Sequence, residues 1–121
     1  DAPKSQGFPV GVMKWFYPTT GNFISVVGNR GSRGLVREIA AGMKPLAIGV
    51  ETLVAPALVP GVDLSDHRSY WKFKWPAVMI TDTAFYRNHN YHDTGDTIDT
   101  LDFPRMAEVI KGVANAVLKL E

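Results

Sequence analysis

The stretch NHNYHDTGDTIDTLDFPRM, residues 88–106, gathers His89 and His92 with Asp93, Asp96, Asp99 and Asp102, and Tyr86 and Tyr91 lie in or just before it. An imidazole can ligate a metal when its second nitrogen is held by a carboxylate or a carbonyl, and Asp66, Asp93 and Asp96 are candidate holders. A phenol beside such a metal can donate to a developing oxyanion, which is the chemistry open to Tyr86 and Tyr91. The bland reading is strong, however. Asn, Asp, Thr and Gly satisfy backbone groups locally in turns, and a loop histidine is more often a hydrogen-bonded surface or packing residue than a ligand. A catalytic zinc also needs at least three protein ligands, and this loop does not assemble them. The third histidine, His67, follows Asp66 at the start of a short expected helix.

Other chemistries find less purchase. The chain has no G-x-S-x-G elbow, no cysteine nucleophile, no G-x-x-x-x-G-K phosphate loop and no H-E-x-x-H helix. GNRGSRG (residues 28–34) follows an expected strand, but it lacks the G-x-G-x-x-G spacing and reads as an ordinary tight turn into a helix.

The elements that would position the loop can be read from apolar spacing. FISVVG (Phe23–Gly28) is a continuous β-branched run, the pattern of a strand covered on both faces. In SRGLVREIAAGM, Leu35, Val36, Ile39 and Ala40 fall on one stripe, with Ser32 as N-cap and Gly42 near the end. PLAIGVETLV (Pro45–Val54) is the next expected strand, and strand–helix–strand favours a parallel pair with a right-handed crossover. SDHRSYWKF reads as a short helix capped by Ser65, and PAVMITD as a third buried strand ending at Asp82. From Asp102 onward, Phe103, Met106, Val109, Ile110, Val113, Val117 and Leu120 share one helical face, and Pro104 is tolerated in the first turn. Residues 1–22 read as irregular, with one short strand at Val12–Phe16. The expected domain is therefore a single α/β unit: an irregular segment 1–22, then a core over 23–121 of mostly parallel buried strands with helices on both faces and a long C-terminal helix. Ligand sites in open α/β sheets lie beyond the carboxyl ends of strands, and the loop from Asp82 to Thr100 leaves such an end.

At 121 residues the chain is the size of one domain, and its net charge of +1 comes from scattered acids and bases. That balance offers no footprint for nucleic acid or for an anionic membrane. The most apolar run, LVAPALVPGV (residues 53–62), is too short and too proline-rich to span a bilayer. The absence of cysteine removes disulfides and thiolate metal sites and fits either redox compartment. The chain opens DAPKSQGFPV, with neither an initiator Met nor an apolar signal core, and the expectation is that it is a fragment.

Taken in order, S-D-H followed by an aromatic, a strand beginning Pro-Ala, the pair Tyr91-His92, a D-T-x-D-x-L-D run and a closing helix occupy Ser65 to Leu120. This ordered set resembles the C-terminal end of the two-zinc aminopeptidase family, the leucyl aminopeptidase and aminopeptidase Y type, to which the peptidase-like domains of glutamate carboxypeptidase and glutaminyl cyclase are related. The resemblance implies that the chain is part of a three-layer zinc-peptidase domain. It implies that His92 ligates one of two zincs and that Tyr91 steadies the tetrahedral oxyanion. It places Asp66 and Asp96 nearby, Asp66 in a hydrogen-bonding role and Asp96 as a loop organiser, and it transfers no ligand role to His67 or His89.

The family's other ligands and its general base come from an H-x-D-like segment and a glutamate pair, for which this chain has no counterpart. The resemblance thus implies a zinc-dependent exopeptidase acting on peptides only when complete, with this chain inactive alone and an extracytoplasmic location slightly favoured. A non-catalytic, receptor-type peptidase-like domain is the alternative, and an aminoacyl or glutaminyl transferase of the same architecture is a weaker one. Loss of upstream strands would also uncover a sheet edge, through which copies of the chain are expected to associate.

Overall fold

A computed structural model describes residues 2–45 and 47–120. Three strands, β1 (Phe23–Gly28), β2 (Gly49–Val54) and β3 (Val78–Thr81), form one sheet in the order β2-β1-β3. Three helices accompany them: α1 (Arg33–Met43), α2 (His67–Lys72) and α3 (Phe103–Val117).

β1 is the central strand, and all six of its residues are buried, as its uninterrupted apolar run requires. Ile24 and Val26 point to one side, where they pack with Val36, Ile39, Ala40 and Met43 of α1 and with Ala116 of α3. Val27 points to the other side and meets Ala55 and Val62, with Trp71 of α2 packed against them. Helices thus cover both faces, α1 and α3 one and α2 the other. Burying a side chain such as Val26, Val36 or Met43 contributes about 1.5–3 kcal/mol. The α1–α3 contact is close because Gly42 faces Ala116: a Cβ on Gly42 would lie 2.5 Å from the Ala116 Cα. Asn115 Nδ2 donates to the Gly42 carbonyl across the same crossing at 2.6 Å.

Several expectations are corrected. β1 and β2 are parallel, from Phe23 opposite Gly49 to Gly28 opposite Val54, but β3 runs antiparallel to β1, so the sheet is mixed rather than mostly parallel. The cause lies just before β3. The Ala77 amide donates to Ser32 Oγ at 3.1 Å and its carbonyl accepts from Trp71 Nε1 at 3.0 Å, which anchors the start of β3 beside the carboxyl end of β1. The strand can only run back, and Thr81 ends opposite Ser25. The loop after Asp82 therefore leaves the carboxyl end of β3 at the amino end of β1 and β2.

β3 is half-buried rather than buried, and so is most of β2, because both are edge strands. β2 begins at Gly49, not Pro45, since α1 continues to Met43 with Lys44 as its C-cap; Leu46, within the expected strand, lies outside the described residues. Val12–Phe16 is not a strand: no edge pairs with it, and Gly11–Trp15 closes into a 3₁₀ turn through local bonds such as Met13 N to Val10 O at 3.0 Å. Ser32 stands at the N-cap of α1, yet its hydroxyl bonds Asn29 Oδ1 instead of a helix amide. α2 starts at His67 with Asp66 at the N-cap position and no side-chain cap.

α3 forms as expected, capped by Asp102, whose carboxylate accepts from the Arg105 amide at 3.0 Å. Its apolar stripe is only partly covered. Gly112 and Ala116 are buried and Val109 and Val113 pack on the core, while Phe103, Met106, Ile110 and Val117 stay exposed, Ile110 by 61%.

Candidate functional site

On the face of the sheet opposite α1 and α3, a cavity of about 340 Å³ opens over the middle of the strands. Ser25 and Val27 of β1, Leu53 of β2 and Met79 and Thr81 of β3 form its floor, because the period of two sends these residues to the same side. Its walls come from irregular segments: Gln6–Pro9 with Met13 and Tyr17, the Pro60–Ser65 loop, and Asp82–Tyr86 together with Tyr91. Part of the segment that reads as irregular in the sequence, Gln6–Pro9 with Met13 and Tyr17, is thus a pocket wall. Its signal was the run of aromatic and apolar residues Phe8, Met13 and Tyr17 in a stretch without periodicity.

One half-buried guanidinium joins two of these walls. Arg87 Nε and Nη2 donate to Gln6 Oε1 at 3.0 and 2.8 Å, and Nη1 donates to the Phe23 carbonyl at 2.8 Å. The same guanidinium lies 4.7 Å from the centroid of the Phe23 ring. Burial pulls the Arg87 pKa down from its ordinary value, Asp82 pushing it up and Arg105 lowering it further. Gln6 also receives the Thr83 hydroxyl at 3.0 Å, and the Gly7 amide donates to the Tyr86 carbonyl at 2.7 Å. This network holds an unfavourable backbone, since Thr83 and Ala84 have φ of 78° and 47°; farther along the loop His92 has φ of 60°. Left-handed conformations at non-glycine residues cost about 1–3 kcal/mol each and persist where the surroundings over-determine them.

Tyr91 and His92 sit together at the pocket mouth. Tyr91 contributes to the wall, and its ring stacks on the His92 imidazole with centroids 4.0 Å apart and planes 15° off parallel. Phe85 packs on the other partner of that stack, 5.9 Å from the Tyr91 ring. The stack sets the plane of the imidazole, and His92 is exposed. Asp96 is tied into the same loop: its Oδ1 accepts from Asn88 Nδ2 at 3.0 Å.

The remaining candidates fall elsewhere or are occupied. Tyr86 lines the pocket, but its hydroxyl donates to the Pro60 carbonyl at 3.2 Å, and burial raises its pKa from the ordinary value. Asp66 lies in a shallow surface hollow with Ser69, Tyr70, Phe73 and Trp75, and none of its contacts reaches Tyr91 or His92. His89 is exposed on the loop. His67 is a packing residue: its Nε2 donates to the Val62 carbonyl at 2.7 Å, its ring meets Trp71 edge to face at 4.6 Å, and its buried Nδ1 has no partner among the described residues. A carbonyl oxygen can only accept, so Nε2 must carry the proton in this bond.

Among the described residues, no three of His, Cys, Asp and Glu come together as a metal-binding group. His92 alone is one ligand where a zinc centre needs at least three from protein, so these residues do not fit a complete zinc site by themselves. What they do offer is an oriented imidazole next to a phenol at the edge of a residue-sized cavity.

No family model matches the chain, and no solved structure matches it. Among curated proteins it is similar to the uncharacterized protein YfbL of Escherichia coli (strain K12), with 47% identity over 113 residues, which is 93% of this chain and 35% of YfbL. The chain thus spans about a third of the length of the curated relative it matches.

Proposed function

We infer that this chain is the C-terminal part of a zinc-dependent aminopeptidase domain, a three-layer α/β unit that removes N-terminal residues from peptides once the rest of the domain is present. The observation that carries the reading is the Tyr91–His92 stack at 4.0 Å on the rim of the pocket, within the segment that resembles the two-zinc aminopeptidases.

In this reading His92 supplies one zinc ligand, and the other ligands and the general base come from sequence outside the chain. Bound zinc would polarise the scissile carbonyl and activate water. Tyr91, held by Phe85 and His92, presents its phenol to the oxygen on which negative charge develops. Asp96 keeps the loop closed through Asn88. Arg87 and Gln6 hold the loop against the N-terminal wall, which keeps the pocket shaped around the substrate. Two further features agree with a larger domain: among the described residues no strand lies beside the edge of β3 away from β1, and α3 leaves Phe103, Met106 and Ile110 uncovered.

The test is release of an amino acid from a leucyl anilide by the longest natural protein that contains this chain, with zinc supplied, beside its His92→Ala variant. Zinc content and turnover lower by orders of magnitude in the variant are expected. Zinc and turnover unchanged in the variant would remove His92 from the ligand set, and no turnover in either protein would favour a peptidase-like binding domain.

A further inference from the structure

We propose that the pocket selects a neutral, hydrogen-bonding side chain of residue size, Asn, Gln or Thr in kind, and that the Ser25 hydroxyl on its floor is the group that reads it; this rests on the aminopeptidase reading for the reaction but not for the binding.

Ser25 is in the middle of the central strand, 7% exposed, with Phe23, Val27, Leu53 and Met79 as its apolar neighbours on the floor. A small hydroxyl in such a place is normally hydrogen-bonded within the protein. The Ser25 hydroxyl has no hydrogen bond to any described residue, whereas three of the hydroxyls on the walls are engaged. Tyr17 donates to the Thr52 carbonyl at 2.9 Å and Tyr86 to the Pro60 carbonyl, and Thr83 donates to Gln6. Thr81, directly across the β1–β3 ladder from Ser25, accepts from the Thr83 amide at 3.0 Å and keeps its hydroxyl proton for a second bond. Ser25 and Thr81 therefore face the cavity side by side, each hydroxyl with a proton to donate and a lone pair left to accept with.

The chemistry of the occupant follows. A purely aliphatic side chain seated here would leave the Ser25 hydroxyl desolvated and unpaired, whereas an amide or hydroxyl end would satisfy it. An anionic end is disfavoured, because the one charged side chain among the described lining residues is the Asp82 carboxylate, and Glu51 stands opposite Ser25 in the β1–β2 register. The volume, about 340 Å³, is at the small end for ligand sites, which range from about 300 to 1,000 Å³, and suits one amino-acid residue.

The experiment uses the longest natural protein containing the chain, with zinc, and two near-isosteric pairs of anilides: asparaginyl against leucyl, and threonyl against valyl. The readout is the ratio of kcat/KM within each pair, for the native protein and for Ser25→Ala. Ratios that favour the polar member and fall about 3- to 10-fold in the variant, the size of one hydroxyl hydrogen bond, are expected. Hydrolysis with ratios untouched by Ser25→Ala overturns the inference and leaves the peptidase reading standing. A second measurement separates the two: asparaginamide and leucinamide are titrated while the methyl resonances of Met13 in the pocket wall and Met79 in its floor are followed. If no anilide is hydrolysed but asparaginamide saturates these resonances, and does so several-fold more weakly in Ser25→Ala, the pocket assignment holds and the peptidase reading falls. No hydrolysis and no saturable shift overturns both.

Discussion

Replacing Gly42 with alanine should unfold this chain more readily, although alanine is the better helix former. An alanine in place of a helical glycine normally gains about 1 kcal/mol from propensity. At Gly42 the added Cβ would stand 2.5 Å from the Ala116 Cα, 2.7 Å from its Cβ and 3.3 Å from its amide nitrogen, against an ordinary contact distance that begins at 3.4 Å. The shortfall is 3.4 − 2.5 = 0.9 Å, and it falls on backbone, which no rotamer change can relieve. α1 and α3 would have to separate along their length, loosening Met43, Val36 and Ala116 and stretching the 2.6 Å bond from Asn115 to the Gly42 carbonyl. Overpacking of a tight core costs about 1–3 kcal/mol, and a backbone clash belongs at the upper end, so the net loss is about 1–2 kcal/mol. For a chain of 121 residues the unfolding entropy is about 0.25 kcal/mol per degree, so Tm should fall by about 4–8 °C. Gly34 is the internal control. It lies in the first turn of α1 with nothing within 4 Å of its would-be Cβ, and Gly34→Ala should raise Tm by about 2–4 °C. The assay is thermal unfolding followed by circular dichroism at one fixed protein concentration, because association shifts Tm by mass action. A Gly42→Ala variant as stable as Gly34→Ala would refute the proposed crossing of α1 and α3.

Arg87→Met should cost about 2 kcal/mol and release the N-terminal wall from the loop, because it removes three charge-assisted bonds, to Gln6 and to the Phe23 carbonyl; faster amide exchange at Gly7, with that of Val26 little changed, is the expected mark. The Tyr17 pKa is raised above its ordinary 10.0, chiefly by burial and secondly by Glu51. A group whose folded pKa is raised contributes stability that is complete below the unfolded pKa and is lost as pH climbs past it. Stability should therefore decline above pH 10, and Tyr17→Phe should flatten that decline; an equal decline in the variant would clear Tyr17 of responsibility. The isolated chain should self-associate through β3 and the uncovered stripe of α3, so that light scattering at tens of micromolar reports species larger than a monomer, and Ile110→Lys should reduce them.

The sequence alone was enough for the elements whose pattern is continuous. β1, α1 and α3 are where their apolar spacing places them, since each makes its structure from neighbours along the chain, and the Asp102 cap marks the start of α3. It also placed Tyr91, His92 and Asp96 in one loop, because they are adjacent in the chain. The direction of β3 was decided only in three dimensions, where the Ala77 amide donates to Ser32 Oγ, a residue far away in sequence, while Trp71 Nε1 donates to the Ala77 carbonyl. The same is true of the pocket. Ser25 appears in the sequence as one polar residue in an apolar run, and Gln6 and Arg87 as unremarkable polar residues in loops. Their meeting, and the separation of Asp66 from Tyr91 and His92, are outcomes of strand pairing and chain closure, to which local periodicity is blind. The half-covered face of α3 has the same origin: a 3.6-residue period specifies which face is apolar, and only the packing of other elements determines how much of it is buried.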